Sequence, residues 1–319
     1  GLLISSFKKV LFLDADDLPL KNMDGIFDEV LFKERGLILW PDMWRRATTP
    51  AFYEVAGIEY DLTKRVRYFG DDISPVSRYH NPASPPNLLT EVPMHDLKGF
   101  MPDPSSESGQ VLIDKAYQLS TLLLSTYYNV HSAWYYKMLS QGTPGEGDKE
   151  TFLAAACALK MPHYQVRTGF SMDGFTDYNK DYHGISLYQH NFQQDHEQHE
   201  RAKKYVEGHL DQFSSYDPTY DYERDFTRGL MKPRRADKVE VLFAHVGYHK
   251  FDPIQMAAGD VYLDKEKNHF RGFRRYDILR GFDLELFNFK AYQRHLCPKD
   301  GNPVDLKCYR EKANTQTWK

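Results

Sequence analysis

The sequence predicts an α/β fold, and three observations predict it. Short apolar runs end in acidic residues, as buried parallel strands do where their carboxyl ends meet polar loops. Segments with helical periodicity stand between those runs. Hydrophobic residues make up 41% of the 319-residue chain, enough for a large core in one α/β unit or two domains.

The elements follow in order. Residues 9–13, Lys-Val-Leu-Phe-Leu, predict a buried parallel strand that stops at Asp14. Residues 24–33 predict a short amphipathic helix, and Gly-Leu-Ile-Leu-Trp at 36–40 a second strand ending in Pro41-Asp42. Seven of the seventeen prolines fall within 73–104, which predicts an irregular stretch covering part of a cleft. A helix is expected over 111–129, from a stripe of Leu112, Ala116, Leu119, Leu123 and Tyr127. Another is expected over 148–160, N-capped by Asp148 and closed before Pro162. The polar region 175–238 reads as loop and surface helix, and Val-Glu-Val-Leu-Phe-Ala at 239–244 as a strand ending at His245. The tail from about 296 reads as loop.

Composition removes some function classes. The net charge is -4, so no global basic field draws nucleic acid or an anionic membrane. No apolar run reaches the ~18 residues of a membrane-spanning helix. The chain opens at Gly1 without an initiator Met, and GLLISS reads as the tail of a helix already under way, so a fragment lacking its N-terminus is expected. Of three cysteines, Cys157 reads as a buried thiol in an apolar helix. Cys297 and Cys308 can pair across the C-terminal loop, as suits a secretory compartment. The 22 tyrosines and 20 phenylalanines serve either a core or the aromatic faces of a sugar cleft.

The segment with the clearest chemistry is Val10-Leu11-Phe12-Leu13-Asp14-Ala15-Asp16-Asp17-Leu18-Pro19. An apolar strand runs straight into Asp-x-Asp, and ligands of open α/β sheets bind beyond the carboxyl ends of strands. If the strand continues, the two carboxylates point the same way and can converge on one hard divalent cation, Mn²⁺ or Mg²⁺. Such a cation offsets charge that grows on a departing diphosphate. Acid pairs also cap helices and line turns. An EF-hand loop starting at Asp14 fails, because Leu18, Pro19 and Gly25 occupy its fifth, sixth and twelfth positions. A haloacid-dehalogenase-type phosphatase fits poorly: Asp17 and Leu18 follow instead of Gly and then Thr or Val. Gly70-Asp71-Asp72 lies too early to be its later acidic motif. The group His183, His190, His196 and His199 matches no zinc-ligand spacing and reads as polar surface.

Five motifs in order bring a family into view: Phe12-Leu13-Asp14-Ala15-Asp16, Trp40-Pro41-Asp42, Glu107-Ser108-Gly109-Gln110, Gly145 to Phe152 (GEGDKETF), and Phe243-Ala244-His245 with Lys250. Together they resemble the fungal Golgi alpha-1,2/alpha-1,3-mannosyltransferases, glycosyltransferase family 71, over residues 1 to about 255. The resemblance implies a GT-A-like nucleotide-diphospho-sugar transferase domain over 1–295, without its first nucleotide-binding strands, and a tail over 296–319. It implies GDP-mannose as donor, Mn²⁺ or alternatively Mg²⁺ as cofactor, retention of the α-anomer and a mannan or other glycan acceptor. It also implies a type II Golgi membrane protein held only by its missing N-terminal anchor, with Golgi complex subunits as further partners. The same fold with a UDP-sugar donor, and a non-catalytic glycan-binding relative, are the competing readings.

The resemblance assigns the metal to Asp14, Asp16 and His245. Asp17 stands where the family usually has Asn, which leaves a third acid contact or a shifted ligand open. Lys250 either holds the diphosphate or is an ordinary solvated lysine. Glu107 and Gln110 are placed at the opening of a helix, contacting sugar hydroxyls or capping it. Asp148 lies near the anomeric carbon or acceptor hydroxyl, N-caps its helix, or does both. Lys149, Glu150 and Gln189 are expected to touch substrate. Trp40 stacks on sugar or base, or fills core, and Asp42 ends the same strand.

Overall fold

The computed structural model describes residues 1–176, 180–231, 239–247, 271–275 and 277–296. They form two compact units, each discontinuous in sequence. The first takes in 1–13, 23–170 and 190–240; the second takes in 14–22, 171–189 and the chain from 241. Strands and helices are numbered along the chain; β4 (Asp61–Arg65) and β5 (Leu97–Lys98) form a small two-stranded sheet in the first unit.

The first unit is built on a four-stranded sheet in the order β1 (Lys9–Leu13), β6 (Ser106–Asp114), β3 (Leu37–Pro41), β7 (Tyr164–Gln165). β6 runs antiparallel to both β1 and β3, with Lys9 opposite Asp114 and Leu13 opposite Gln110. β7 is parallel to β3. Every residue of β3 is buried, because both faces of that strand are covered. Leu37, Leu39, Val111 and Ile113 carry one face into the main core, where Phe52, Tyr53, Leu122, Leu139 and the Ala154–Ala156 run meet them. Helices α1 (Val30–Arg35), α2 (Pro50–Ala56), α3 (Leu119–Val130), α4 (Ser132–Ser140) and α5 (Thr151–Ala158) belong to this unit. α1 stops at Gly36, whose φ of 67° closes the helix in the left-handed region that favours glycine. α6 (Phe192–Gly208) starts at Asn191, whose side chain accepts from the backbone N–H groups of Gln193 and Gln194.

The second unit carries another four-stranded sheet, in the order β2 (Asp17–Pro19), β10 (Val241–Val246), β9 (Tyr182–His190), β8 (Ser171–Thr176). β10 pairs antiparallel with β2, which sets His245 opposite Asp17. Phe175, Ile185, Tyr188, Val241, Ala244, Val246, Phe273 and Leu284 form its core.

Several expectations change. β1 is a half-buried antiparallel edge strand, not a buried parallel one; an apolar run does not reveal which strand it pairs with. The helix expected from 111 is strand β6 up to Asp114, and α3 begins only at Leu119. The consecutive burial of Gly109 to Ile113 belongs to a strand covered on both faces, which helical spacing mimics over a few residues. Glu107 and Gln110 therefore sit on a strand and cap no helix. The region 175–238, read as loop and surface helix, does hold a helix, the 17-residue α6, and adds strand β9, which was not expected. Among the described residues no helix is long and apolar enough to cross a membrane.

Candidate functional site

In the second unit, the chain turns sharply after Leu13. The Asp17 N–H donates to the Asp14 carbonyl at 3.0 Å, so Asp14 to Asp17 form a tight turn. The strand does not continue through the acids, and the expected parallel projection of Asp14 and Asp16 is lost. Asp14 is exposed, Asp16 half-buried and Asp17 buried. The Asp16 carbonyl accepts from Val246 N–H at 2.8 Å, which ties the turn to β10. That tie brings Asp16 Oδ1 to 3.9 Å from His245 Nε2, both side chains largely shielded from solvent. Asp16 and His245 thus approach each other. No group of three metal-ligating side chains converges among the described residues, so Asp14 does not complete a three-donor set with them in this conformation. A carboxylate oxygen and an imidazole nitrogen still suit a hard or borderline divalent cation, which is often held by one or two protein donors plus phosphate oxygens. Asp16 and His245 fit that pattern. Gln189 lies on β9 and is fully buried. Lys250, Cys297 and Cys308 lie outside the described residues.

In the first unit, the remaining motif residues gather at one end of the sheet, where β3 leaves and β6 enters. Trp40 is opposite Glu107 and Pro41 opposite Ser106, and Asp42 N–H donates to the Ser105 carbonyl at 2.7 Å. Glu107 Oε1 accepts from the N–H groups of Ser108 (2.8 Å) and Gly109 (2.9 Å). The Ser108 hydroxyl donates to Asp148 Oδ1 at 3.2 Å. Two carboxylates are therefore linked through Ser108, with Asp148 exposed. Asp148 does not cap α5 with its side chain. Its backbone carbonyl accepts from Thr151 instead, and the N-cap position falls on Glu150.

Lys149 and Glu150 are engaged in buried ion pairs. Lys149 Nζ pairs with Asp42 Oδ2 at 2.5 Å, both nearly buried. Glu150 pairs with Arg46, which is as buried as its partner, and Glu150 Oε1 also accepts from Ser106 N–H at 2.6 Å. Two adjacent residues of the GEGDKETF motif are thus fastened to two residues just beyond β3. These paired charges hold the loop. Gly145 makes the approach feasible: it has a φ of 77°, and a Cβ there would stand 2.6 Å from Lys149 Nζ. Trp40 is likewise taken up by structure. Its ring is fully buried, its Nε1–H donates to the His190 carbonyl at 2.8 Å, and it meets Phe192 edge to face.

Gln110 is the anomaly of the group. It is fully buried, yet neither Oε1 nor Nε2 has a hydrogen-bond partner among the described residues. Buried amides are normally satisfied, since leaving a polar group unmatched costs about 1–3 kcal/mol. The four histidines have separate environments. His183 stacks on Phe175, His196 meets Tyr164 edge to face, His199 contacts Asp72 at 2.8 Å, and His190 supplies the carbonyl that Trp40 uses. Asp72 is held well below the usual carboxylate range: its burial opposes ionisation, but Arg167 and His199 outweigh it.

Residues 1–208 match the family model described as "Mannosyltransferase putative". The chain is also 46% identical over 331 aligned residues to the alpha-1,2-mannosyltransferase MNN5 of Saccharomyces cerevisiae (strain YJM789), covering 100% of this chain and 56% of that protein. The chain belongs to this mannosyltransferase family. A second relative, alpha-1,2-mannosyltransferase MNN2 of Saccharomyces cerevisiae (strain ATCC 204508 / S288c), is 38% identical over 93% of this chain and 50% of its own length. MNN2 of Candida albicans (strain SC5314 / ATCC MYA-2876) is 34% identical over 96% and 46%. The chain spans about half the length of the curated relatives it matches. Arg46 and Ser108 are the residues of this mannosyltransferase-family chain whose roles sequence reasoning missed. Arg46 finds its partner 104 positions away, so no local pattern announces it. Ser108 lies inside the Glu107–Gln110 motif, but its link to Asp148 needs the loop to fold back.

Proposed function

We propose that this chain is the catalytic part of a metal-dependent, retaining α-mannosyltransferase with a GT-A-like fold, passing mannose from GDP-mannose to a mannan or other glycan acceptor. The observation that carries the reading is the approach of Asp16 and His245 to 3.9 Å, in a chain of the mannosyltransferase family. Mn²⁺ or Mg²⁺ bound there supplies Lewis-acid stabilisation of the leaving diphosphate. Asp16 and His245 are the residues that would hold it; the β2–β10 pairing and the Val246–Asp16 hydrogen bond fix their backbones beforehand, so little ordering is left to the moment of binding. In the first unit, the carboxylates of Glu107 and Asp148 offer acceptors to sugar hydroxyls, oriented by Ser108 and by backbone N–H groups. Gln110 has unmet capacity as both donor and acceptor, which a sugar hydroxyl would satisfy. Lys149, Glu150 and Asp42 position that loop. Following the resemblance, the reading places the reaction in the Golgi lumen.

The test is transfer from a panel of nucleotide-sugars to an α-mannoside acceptor with Mn²⁺ present. GDP-mannose should be consumed and an α-linked mannose formed, and chelation should stop both. Asp16→Ala should lower turnover by at least ~100-fold with an unchanged melting curve, as loss of an electrostatic transition-state contact does. Full turnover by Asp16→Ala would reject the metal assignment. Consumption of a UDP-sugar in place of GDP-mannose would replace the donor.

A further inference from the structure

Helix α3 has apolar side chains on two faces. Leu122 and Tyr128 enter the core beside the polar Thr121 and Ser125, and Gln118 just before the helix is fully buried as well. These groups are satisfied: Gln118 Nε2 donates to the Arg35 carbonyl at 2.7 Å, Thr121 Oγ1 donates to Gln118 Oε1 at 2.6 Å, and Ser125 Oγ meets Thr151 Oγ1 at 2.8 Å. The apolar stripe that should enter a core faces water. Leu119, Leu123 and Tyr127 are 49%, 50% and 48% exposed, and Val130 and Trp134 are 72% and 71% exposed. The Tyr127 ring contacts His131 and Tyr135, so the start of α4 (Ser132–Ser140) continues the stripe.

A surface helix of this kind normally carries charge on its outer face. Residues 116–136 contain no Asp, Glu, Lys or Arg at all. Depletion of charge with enrichment of Tyr and Trp is the composition of an interface core. A membrane surface fits less well, because a helix lying on anionic lipid needs Lys or Arg on its polar face. The five side chains and neighbouring Tyr117 expose on the order of 600–700 Å², more than the largest apolar patch of a typical monomer. That approaches the roughly 800 Å² each partner contributes to a stable interface.

We propose that the α3–α4 face is the interface of a two-fold symmetric dimer of this chain. A stripe repeating at i, i+4 and i+8 packs into the grooves of an identical helix, so the surface complements itself about a two-fold axis. Ser125 and Gln118 anchor α3 to its own unit, and Leu119, Leu123 and Tyr127 meet their counterparts. The dimer requires nothing of the catalytic reading.

Sedimentation equilibrium tests this directly. The protein should sediment as a dimer at about 10 µM, the range expected for an interface near the standard size. Leu123→Glu should weaken self-association at least ~100-fold, because a carboxylate would be buried unpaired. Its far-ultraviolet circular dichroism and melting curve should be unchanged, because Leu123 is half exposed in the monomer. Leu123→Met should keep the dimer. A protein that stays monomeric at about 100 µM, or a Leu123→Glu variant that dimerises as well as its parent, overturns the proposal; either would leave the face to a different partner.

Discussion

Replacing Glu150 by Ala separates two roles for the GEGDKETF loop. Glu150 is 1% exposed and Arg46 4% exposed. Arg46 spends its donors on Glu150, on the carbonyls of Pro102 and Pro104 and on Gln165. Removing the carboxylate leaves the guanidinium buried without its counter-charge and leaves the Ser106 N–H without its acceptor. Breaking a buried pair from one side costs about 3–5 kcal/mol, and the orphaned amide adds roughly 1–3 kcal/mol. A total near 5 kcal/mol should lower the melting midpoint by about 10 °C or more. Replacing both partners, Arg46→Met with Glu150→Leu, should restore much of that loss, since the pair as a whole is close to neutral against apolar substitutes. The assay is denaturant unfolding of the parent, the single variant and the double variant. If Glu150→Ala shifts stability by less than about 1 kcal/mol while raising KM, the pair is not what holds the loop, and a substrate-binding role for Glu150 returns.

Acid should destabilise the protein in a defined window. Burial, with help from the nearby Arg46 charge, lowers the His95 pKa to about 4 from its ordinary 6.5. The unfolded chain therefore binds a proton below about 6.5 that the folded chain refuses until about 4. Stability is complete above that range and falls as pH drops through it. The loss should be about 2 kcal/mol between pH 8 and pH 5, measured by urea midpoints, and His95→Gln should flatten that slope. Gln110→Leu should keep or raise stability by about 1 kcal/mol, because it removes a buried amide without partners. If a sugar hydroxyl uses that amide, the same change raises KM, so a variant with unaltered kinetics would remove Gln110 from the substrate site.

Some features of this chain were decided locally and were therefore visible in the letters. The strand before Asp14, the strand Leu37–Pro41 and the strand carrying His245 each rest on short apolar runs, and the mixed α/β class follows from their alternation with helices. The motifs around Asp16, Trp40, Glu107, Asp148 and His245 placed the family, because five short patterns in a fixed order are specific in a way that one is not.

What only the tertiary structure decided was the pairing of groups far apart along the chain. The letters of Gly109 to Ile113 fit a helix or a strand, and flanking strands β1 and β3 chose the strand. Asp14 and Asp16 look equivalent in sequence, but Asp14 is exposed, while the turn closed at Asp17 and the hydrogen bond from Val246 bring Asp16 to within 3.9 Å of His245. Lys149 and Glu150 are neutralised by Asp42 and Arg46, partners about a hundred positions away that no local pattern reveals. The stripe of Leu119, Leu123 and Tyr127 has the periodicity of a buried face, yet the face turned inward is the one with Leu122, Tyr128, Thr121 and Ser125, where Ser125 meets Thr151. In each case the chemistry of a side chain is local, but its partner lies tens of residues away, and solvation or pairing is set only when the chain closes on itself.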